Sequence, residues 1–459
     1  MRRPGRLAGA VAALVATLVP LAAEAQVPAS ALIRDAEIEQ LLRDYADPVL
    51  AAAGAKRGAV QIILIGDRSF NAFVADGRRM FINVGAIMEA KTPNELIGVI
   101  AHESGHIAGG HLQRLREQMA NAQILSVIGM LLGGAAMVGT ARSGRDSKVG
   151  DGGTGAMGIM AGSYELARRS LLAYQRSEEQ AADKMALGYL TATGQSPRGL
   201  LETFKRFNQE SMFKTASIDP YLVSHPLPMD RIANLEEQAK RSPYFDAKDP
   251  PALVARHELA RAKLFGFIAK AEEVGRRYPA SDTSVPARYA RAIIAFRYKR
   301  LADALAQIDG LIRERPSNPY FIELKGQILL EFGRPREAIP LLRKAVAMVP
   351  GAVPIRVMLG HALVATEDKA NVDAALRELS NAVQREPENS EGWQHLAKAY
   401  GLRGNEGMAS FAAAQASFTA GDYKQAANHA ARAKEQLPAQ SPGWLKADDI
   451  LNTRPPKQP

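Results

Sequence analysis

No cysteine occurs among the 459 residues. Disulfides and thiolate chemistry are thereby excluded, and any metal must be held by histidine, aspartate, glutamate or water. Aromatic residues make up only 6% of the chain, with two tryptophans. No aromatic or groove-reading motif accompanies the basic balance, so a nucleic-acid partner has no support. Charge of one sign is not dominant either: Lys+Arg 58 against Asp+Glu 48 gives +10, and Arg2, Arg3, Arg6 and Glu24 supply +2 of it. The remaining mild basic bias suits contact with anionic surfaces. At 47% hydrophobic and 23% charged, the composition excludes a disordered chain, a collagen repeat and a multi-span membrane protein. The length is enough for two to three domains, each with its own core.

The N-terminus reads as an export signal. Arg2, Arg3 and Arg6 precede an apolar run from Leu7 to Ala23, and Ala23-Glu24-Ala25 sets small residues two apart, with cleavage expected after Ala25. A retained anchor is the alternative; Pro20 and the shortness of the run speak against it. Residues 1–25 are thus expected to be removed, and the mature protein to work in a bacterial periplasm. A cysteine-free chain is compatible with an envelope protein that has large cores.

Two grammars follow. From Ser30 to about Asp246 the pattern is mixed. Ala31 to Ala53 has helical spacing, Ala59 to Ile65 is a buried-strand candidate, and Phe70–Ala75 and Arg79–Val84 flank Asp76-Gly77 as a hairpin. Thr92-Pro93-Asn94-Glu95 opens a helix, with Thr92 as N-cap and Pro93 at the first helical position. Ile124 to Gly139 is unusually apolar and is followed by the glycine-rich Gly150 to Gly158. A buried helix and a membrane-surface or substrate-gating segment are both open for 124–139. The G-x-G-x-x-G match at Gly150–Gly155 has no strand before it and reads as loop.

From about Pro250 the chain becomes helical and repetitive. Pro316 and Pro350 stand 34 apart, with Gly326, Gly333, Ala338 and Ala345 at the small positions of a tetratricopeptide (TPR) unit. Gly360, Ala375, Ala382 and Pro387 repeat the pattern, Trp393, Leu396, Tyr400, Gly404 and Ala409 open another unit, and Gly421, Ala426, Ala433 and Pro438 another. Small residues let paired helices approach closely, and the prolines end each second helix.

The chemistry is concentrated in His102-Glu103-Ser104-Gly105-His106, an H-E-x-x-H sequence. On a helix, positions i and i+4 share one face, so both imidazoles reach one cation, while Glu103 stands where it can take a proton from water. A third protein ligand is needed. One alternative would place a histidine at 112, but Leu112 is there and His111 is one residue out of register, although Gly109 fits that pattern. The other is a glutamate from a second helix. Glu179 to Asp183 reads E-x-x-A-D, with the two carboxylates one turn apart on one face. Glu179 is therefore assigned as ligand and Asp183 as the acceptor that fixes a ligand histidine's tautomer.

H-E-x-x-H, then E-x-x-A-D, then Ser224-His225-Pro226 with Arg231, is the motif order of the CAAX-prenyl-endopeptidase and HtpX-like zinc metallopeptidases, which this chain resembles. Asn71-Ala72-Phe73 and His111 also look like that family, and the apolar, glycine-rich insert between His106 and Glu179 is where the chain departs from it. The resemblance implies an α+β, mainly helical chain: a gluzincin-type metallopeptidase domain with a small β-sheet, then an α-helical TPR solenoid. Its boundaries are expected at 26–246 for the peptidase, 247–284 for connecting helices, 285–450 for the repeats and 451–459 for a tail. The resemblance also implies one Zn2+ per chain held by His102, His106 and Glu179, with Glu103 as general base. His225 either donates to the oxyanion or takes the fourth zinc position and holds the enzyme latent. Arg231 pairs with Asp183 or with a substrate carbonyl.

The expected function is an envelope endopeptidase acting on unfolded or misassembled outer-membrane proteins, its repeats docking substrate or outer-membrane assembly machinery. A strand beside Asp76-Gly77 would offer an edge to extended substrate. The competing expectation is a TPR chaperone or adaptor with latent or suppressed proteolysis.

Overall fold

The computed structural model describes residues 32–75, 77–115, 117–118, 174–213, 221 and 225–453. The leader, the 124–139 stretch and the 150–158 glycine-rich segment lie outside them. Among the described residues no helix is long and apolar enough to cross a membrane. The described chain divides into two compact units, one of residues 42–251 and one of residues 32–41 with 252–453.

In the first unit the apolar run before Gly66 forms the strand Gln61–Ile65, parallel to Arg79–Asn83 with Ile63 opposite Phe81. Ala72–Val74 returns antiparallel to the same strand, with Phe73 opposite Phe81 and the two rings stacked at 5.1 Å. This is the hairpin expected around Asp76-Gly77. Ala72–Val74 ends the strand order, so one of its edges has no strand partner among the described residues.

The helix Pro93–Gly109 carries the H-E-x-x-H sequence and starts where the capping residues placed it. The Thr92 side chain accepts from the Glu95 N–H, and the Glu95 carboxylate accepts from the Lys91 N–H at 3.3 Å. Three glycine contacts lodge this helix among its neighbours. A Cβ on Gly98 would lie 2.7 Å from the Leu200 Cβ, and one on Gly199 only 2.4 Å from the Asn94 backbone, which packs the helix Arg198–Phe213 against it. Asn94 seals that contact, its Oδ1 accepting from the Gly199 N–H at 2.7 Å and its Nδ2 donating to the Ser196 carbonyl at 2.8 Å. On another side, a Cβ on Gly105 would meet the Ala182 carbonyl oxygen at 2.8 Å. Here the histidine helix touches the backbone of the helix over 174–192.

The second unit is a run of paired helices from Pro251 to Asn452. The small residues expected of a TPR array sit where helices meet: Gly326 faces the Leu342 side chain, Gly360 faces Leu379, and Ala338, Ala345, Ala375, Ala382, Ala426 and Ala433 are fully buried. Gly333, Gly404 and Gly421 follow helix ends at positive φ. Segment 32–41 belongs to this unit through a buried charge cluster. The Lys263 Nζ lies 2.7 Å from Asp35 Oδ2 and 3.4 Å from Glu37 Oε2, with Glu323 at 3.8 Å, and Tyr289 donates to Glu37 at 3.0 Å. Burial alone would lower the Lys263 pKa; the surrounding carboxylates and Tyr289 instead hold it well above the usual lysine range.

Two sets of variants test this packing. Gly105→Ala is expected to lower the stability of the first unit by about 1–3 kcal/mol, because the obstructing atom is backbone. Gly188→Ala on the opposing helix, where an added Cβ meets nothing within 4 Å, is expected to raise it by about 0.5–1 kcal/mol. Chemical denaturation would show the opposite signs; equal signs would contradict the close approach. Lys263→Met, which strands three carboxylates, is expected to cost the second unit about 3–5 kcal/mol in the same experiment.

Candidate metal centre

All seven residues singled out in the sequence come together in the first unit. His102 and His106 lie on one face of the helix Pro93–Gly109, their Nε2 atoms 3.1 Å apart. Glu179 reaches in from the helix over 174–192, with Oε2 3.3 Å from His102 Nε2 and Oε1 3.5 Å from His106 Nε2. His225, at the start of the irregular segment 225–228, completes the group, its Nδ1 3.3 Å from His102 Nε2 and 3.1 Å from Glu179 Oε1. These side chains form one group able to hold a metal ion. Four donors at the corners of a tetrahedron with bonds of 2.0–2.1 Å are about 3.3 Å apart. The observed separations fit that figure, and three imidazole nitrogens with one carboxylate suit a divalent transition metal.

Glu103 stands beside this group, 1% exposed, with Oε1 3.3 Å from His225 Nε2. Burial raises its carboxyl above the usual range, the direction that suits a proton acceptor near neutral pH. Asp183 Oδ1 lies 2.9 Å from His102 Nδ1, and Arg231 holds Asp183 with a two-pronged contact at 2.6 and 2.8 Å. Arg231 also lies 2.8 Å from Glu179 and donates to the Pro226 carbonyl at 2.9 Å, so one guanidinium ties the carboxylates to the segment that carries His225. Phe204 lies under the Arg231 guanidinium at 5.0 Å and edge-on to His102.

The electrostatics follow from these neighbours. Burial would lower the His102 pKa, but the hydrogen bonds and charges of Asp183 and Glu179 win and push it up to about 9. Burial and the positive field of His102 hold His106 well below the usual histidine range. Burial would raise both partner carboxyls; His225 and His102 nonetheless hold Glu179 well below the carboxylate range, and Arg231 and His102 hold Asp183 below it.

A cleft of about 440 Å3 opens on the centre, lined among others by Phe73 and Val74 of the outer strand and by Glu103, His106, His111 and Glu178. Reading the sequence gave no role to several residues now seen at the site. Glu178 and Arg114 pack behind His111. Tyr221 places its ring 4.7 Å from that of His225, and its carbonyl accepts the His225 backbone N–H at 2.8 Å. Glu178 was hidden by its neighbour Glu179, and Tyr221 has no spacing relation to either motif.

Residues 33–239 match the sequence model of peptidase family M48. The Beta-barrel assembly-enhancing protease of Yersinia pestis is 23% identical over 388 residues, covering 83% of this chain and 76% of that protein. That of Escherichia coli (strain K12) is 22% identical over 423 residues, covering 88% and 80% respectively. Among solved structures, a thermophilic TPR protein of Thermus thermophilus aligns with 36% of this chain and 97% of its own, at 19% identity and a TM-score of 0.26. The family match falls on the stretch that builds the four-donor group: residues 33–239 are a metallopeptidase segment similar to peptidase family M48, and a TPR-type run of paired helices follows them.

Proposed function

We propose that this chain is a zinc-dependent endopeptidase of the bacterial periplasm that degrades misfolded or misassembled outer-membrane proteins. The observation that carries the reading is the convergence of four donor atoms, three of them on buried residues, at tetrahedral spacing with Glu103 against them. His102, His106 and Glu179 are the proposed protein ligands of one zinc. When bound, zinc supplies Lewis acidity toward the scissile carbonyl and makes water a better acid. Glu103 takes the proton of the attacking water and passes it to the leaving nitrogen as the C–N bond breaks. Asp183 fixes the His102 tautomer, and Arg231 neutralises Asp183 and Glu179 together. Phe73 and Val74 line the cleft on a strand whose outer edge has no strand partner among the described residues, which suits extended and therefore unfolded polypeptide.

The names of the relatives support an outer-membrane setting, and the N-terminal Arg-flanked apolar run with Ala23-Glu24-Ala25 supports export. The solenoid supplies the surface proposed to dock substrate or assembly machinery. Contact of 124–139 with a membrane surface stays part of the proposal on its apolar composition.

His225 is proposed as the fourth donor rather than the oxyanion donor. Its Nδ1 lies among the other three donors while its Nε2 faces Glu103, so in this arrangement both the substrate position and the base are engaged. This favours the second reading to one degree: the protease rests latent, and a docking role runs on the solenoid until His225 is displaced.

Two measurements test this. Glu103→Gln is expected to keep zinc, by metal analysis, and to lose roughly 10²–10⁴-fold in cleavage of an unfolded protein; an empty variant would contradict the assigned role. His225→Ala is expected to cleave that substrate several-fold faster than the parent chain. A fall of about 10²-fold would assign His225 to the oxyanion instead.

A further inference from the structure

The two ligand histidines are backed by different groups. His102 rests on Asp183 and Arg231, as described. His106 rests on another imidazole: its Nδ1 lies 2.9 Å from His111 Nδ1, and His111 Nε2 lies 2.8 Å from Glu178 Oε2. Glu178 in turn accepts from Arg114 at 2.7 Å, and Arg114 Nε donates to the Tyr174 hydroxyl at 3.2 Å. His111 is 4% exposed.

On an unbroken helix, residues five apart point about 140° away from each other and do not meet. The chain breaks the helix to bring them together. Gly110 takes the left-handed conformation at φ 65°, its N–H capping the His106 and Ile107 carbonyls, and a new helical turn starts at His111. Gly109 makes the room, since a Cβ there would lie 2.2 Å from His111 Nε2. The Gly109-Gly110 pair therefore folds His111 back onto the ring of His106.

From this arrangement we infer that His111 is a positioning residue for the metal centre, fixing the ring and tautomer of His106. The inference rests on the proposal that His106 Nε2 binds zinc. The proton placement is then determined throughout. His106 keeps the Nε2 lone pair for the cation and carries its proton on Nδ1, which donates to His111 Nδ1. That nitrogen must be an acceptor, so His111 carries its proton on Nε2 and donates it to Glu178, whose charge Arg114 balances. The result is a chain of ligand, acceptor, carboxylate and arginine on each histidine, longer by one imidazole on the His106 side. A ligand's hydrogen-bond partner is worth about 10–100-fold in metal affinity.

Asparagine and glutamine separate this role from packing, because Asn Oδ1 takes the place of Nδ1 and Gln Nε2 that of the other ring nitrogen. Zinc affinity of the full mature chain would be measured by chelator competition, together with the thermal transition with and without chelator. His111→Asn keeps an acceptor for His106 and is expected to bind zinc within about threefold of the parent. His111→Gln is expected to bind about 10–100-fold more weakly. Equal or reversed affinities of the two variants overturn the inference, whether both are high or both low. A merely structural role would lower the thermal transition in chelator without separating the affinities. His106→Ala is the control. If it lowers affinity while the two His111 variants do not differ, only this inference fails; if it leaves affinity unchanged, the ligand assignment fails first.

Discussion

Glu179 and the His102–His106 pair come from helices separated by some 70 residues of chain, and they share one point because the two helix backbones touch. The contact is Gly105 against Ala182, too close for any side chain at 105. Its position within both motifs is what makes it effective. Gly105 lies between the two histidines and next to the second, and Ala182 lies between Glu179 and Asp183. Moving the helices apart by one methyl group would carry Glu179 away from both Nε2 atoms and Asp183 away from His102 Nδ1 together. The Leu200 and Asn94 contacts at Gly98 and Gly199 hold the same helix from another side. Donor atoms spaced to within a few tenths of an ångström need such a rigid support, because a loosely held ligand set loses its preorganisation.

The second constraint is charge. Glu103, Glu179 and Asp183 are all nearly inaccessible, and burying carboxylates without compensation is costly. Arg231 is the fixed cation, shared between Asp183 and Glu179. The field that pushes His102 up to about 9 is the surplus of negative charge left after Arg231 has acted. That surplus favours a divalent cation at the meeting point of the four donors. Proton and metal answer the same field, so metal affinity is linked to pH. His106, facing the positive side of His102, is held neutral and keeps its lone pair available.

How much of this could be seen in the sequence depended on whether the signal was local. The helix start at Thr92-Pro93 and the hairpin around Asp76-Gly77 rest on capping and turn rules that act within a few residues, the small-residue TPR pattern rests on packing between neighbouring helices, and the structure has each of them. The facing of His102 and His106 follows from helical geometry alone. Glu178, Tyr221 and the attachment of Arg231 to Pro226 were not legible, because they depend on which helices pack and on the course of an irregular segment. His111 is the instructive case. As a near-miss to a ligand position five residues along a helix it has no use; the left-handed Gly110 makes that spacing meaningful by ending the helix first. The Lys263 cluster was equally hidden, since Asp35 and Glu37 lie over 200 residues from their lysine.

The four donors are not equivalent in their supports, and this bears on which of them can be exchanged. His102, His106 and Glu179 sit on helices whose backbones are pressed together, and the two histidines each have a carboxylate–arginine pair behind them. His225 begins an irregular segment and is held by the Tyr221 carbonyl and ring and, through Pro226, by Arg231. Displacing a helical donor would break the contact with the group behind it, Asp183 for His102, His111 for His106 and Arg231 for Glu179. Displacing His225 would free Glu103 in the same movement, since one imidazole faces both Glu103 and the other donors. The latency proposed for His225 would thus place the removable group on an element outside the two helices that carry the other three donors. The arginine that holds Pro226 also neutralises Glu179 and Asp183, so this anchor of the segment is tied to the charge balance of the metal centre.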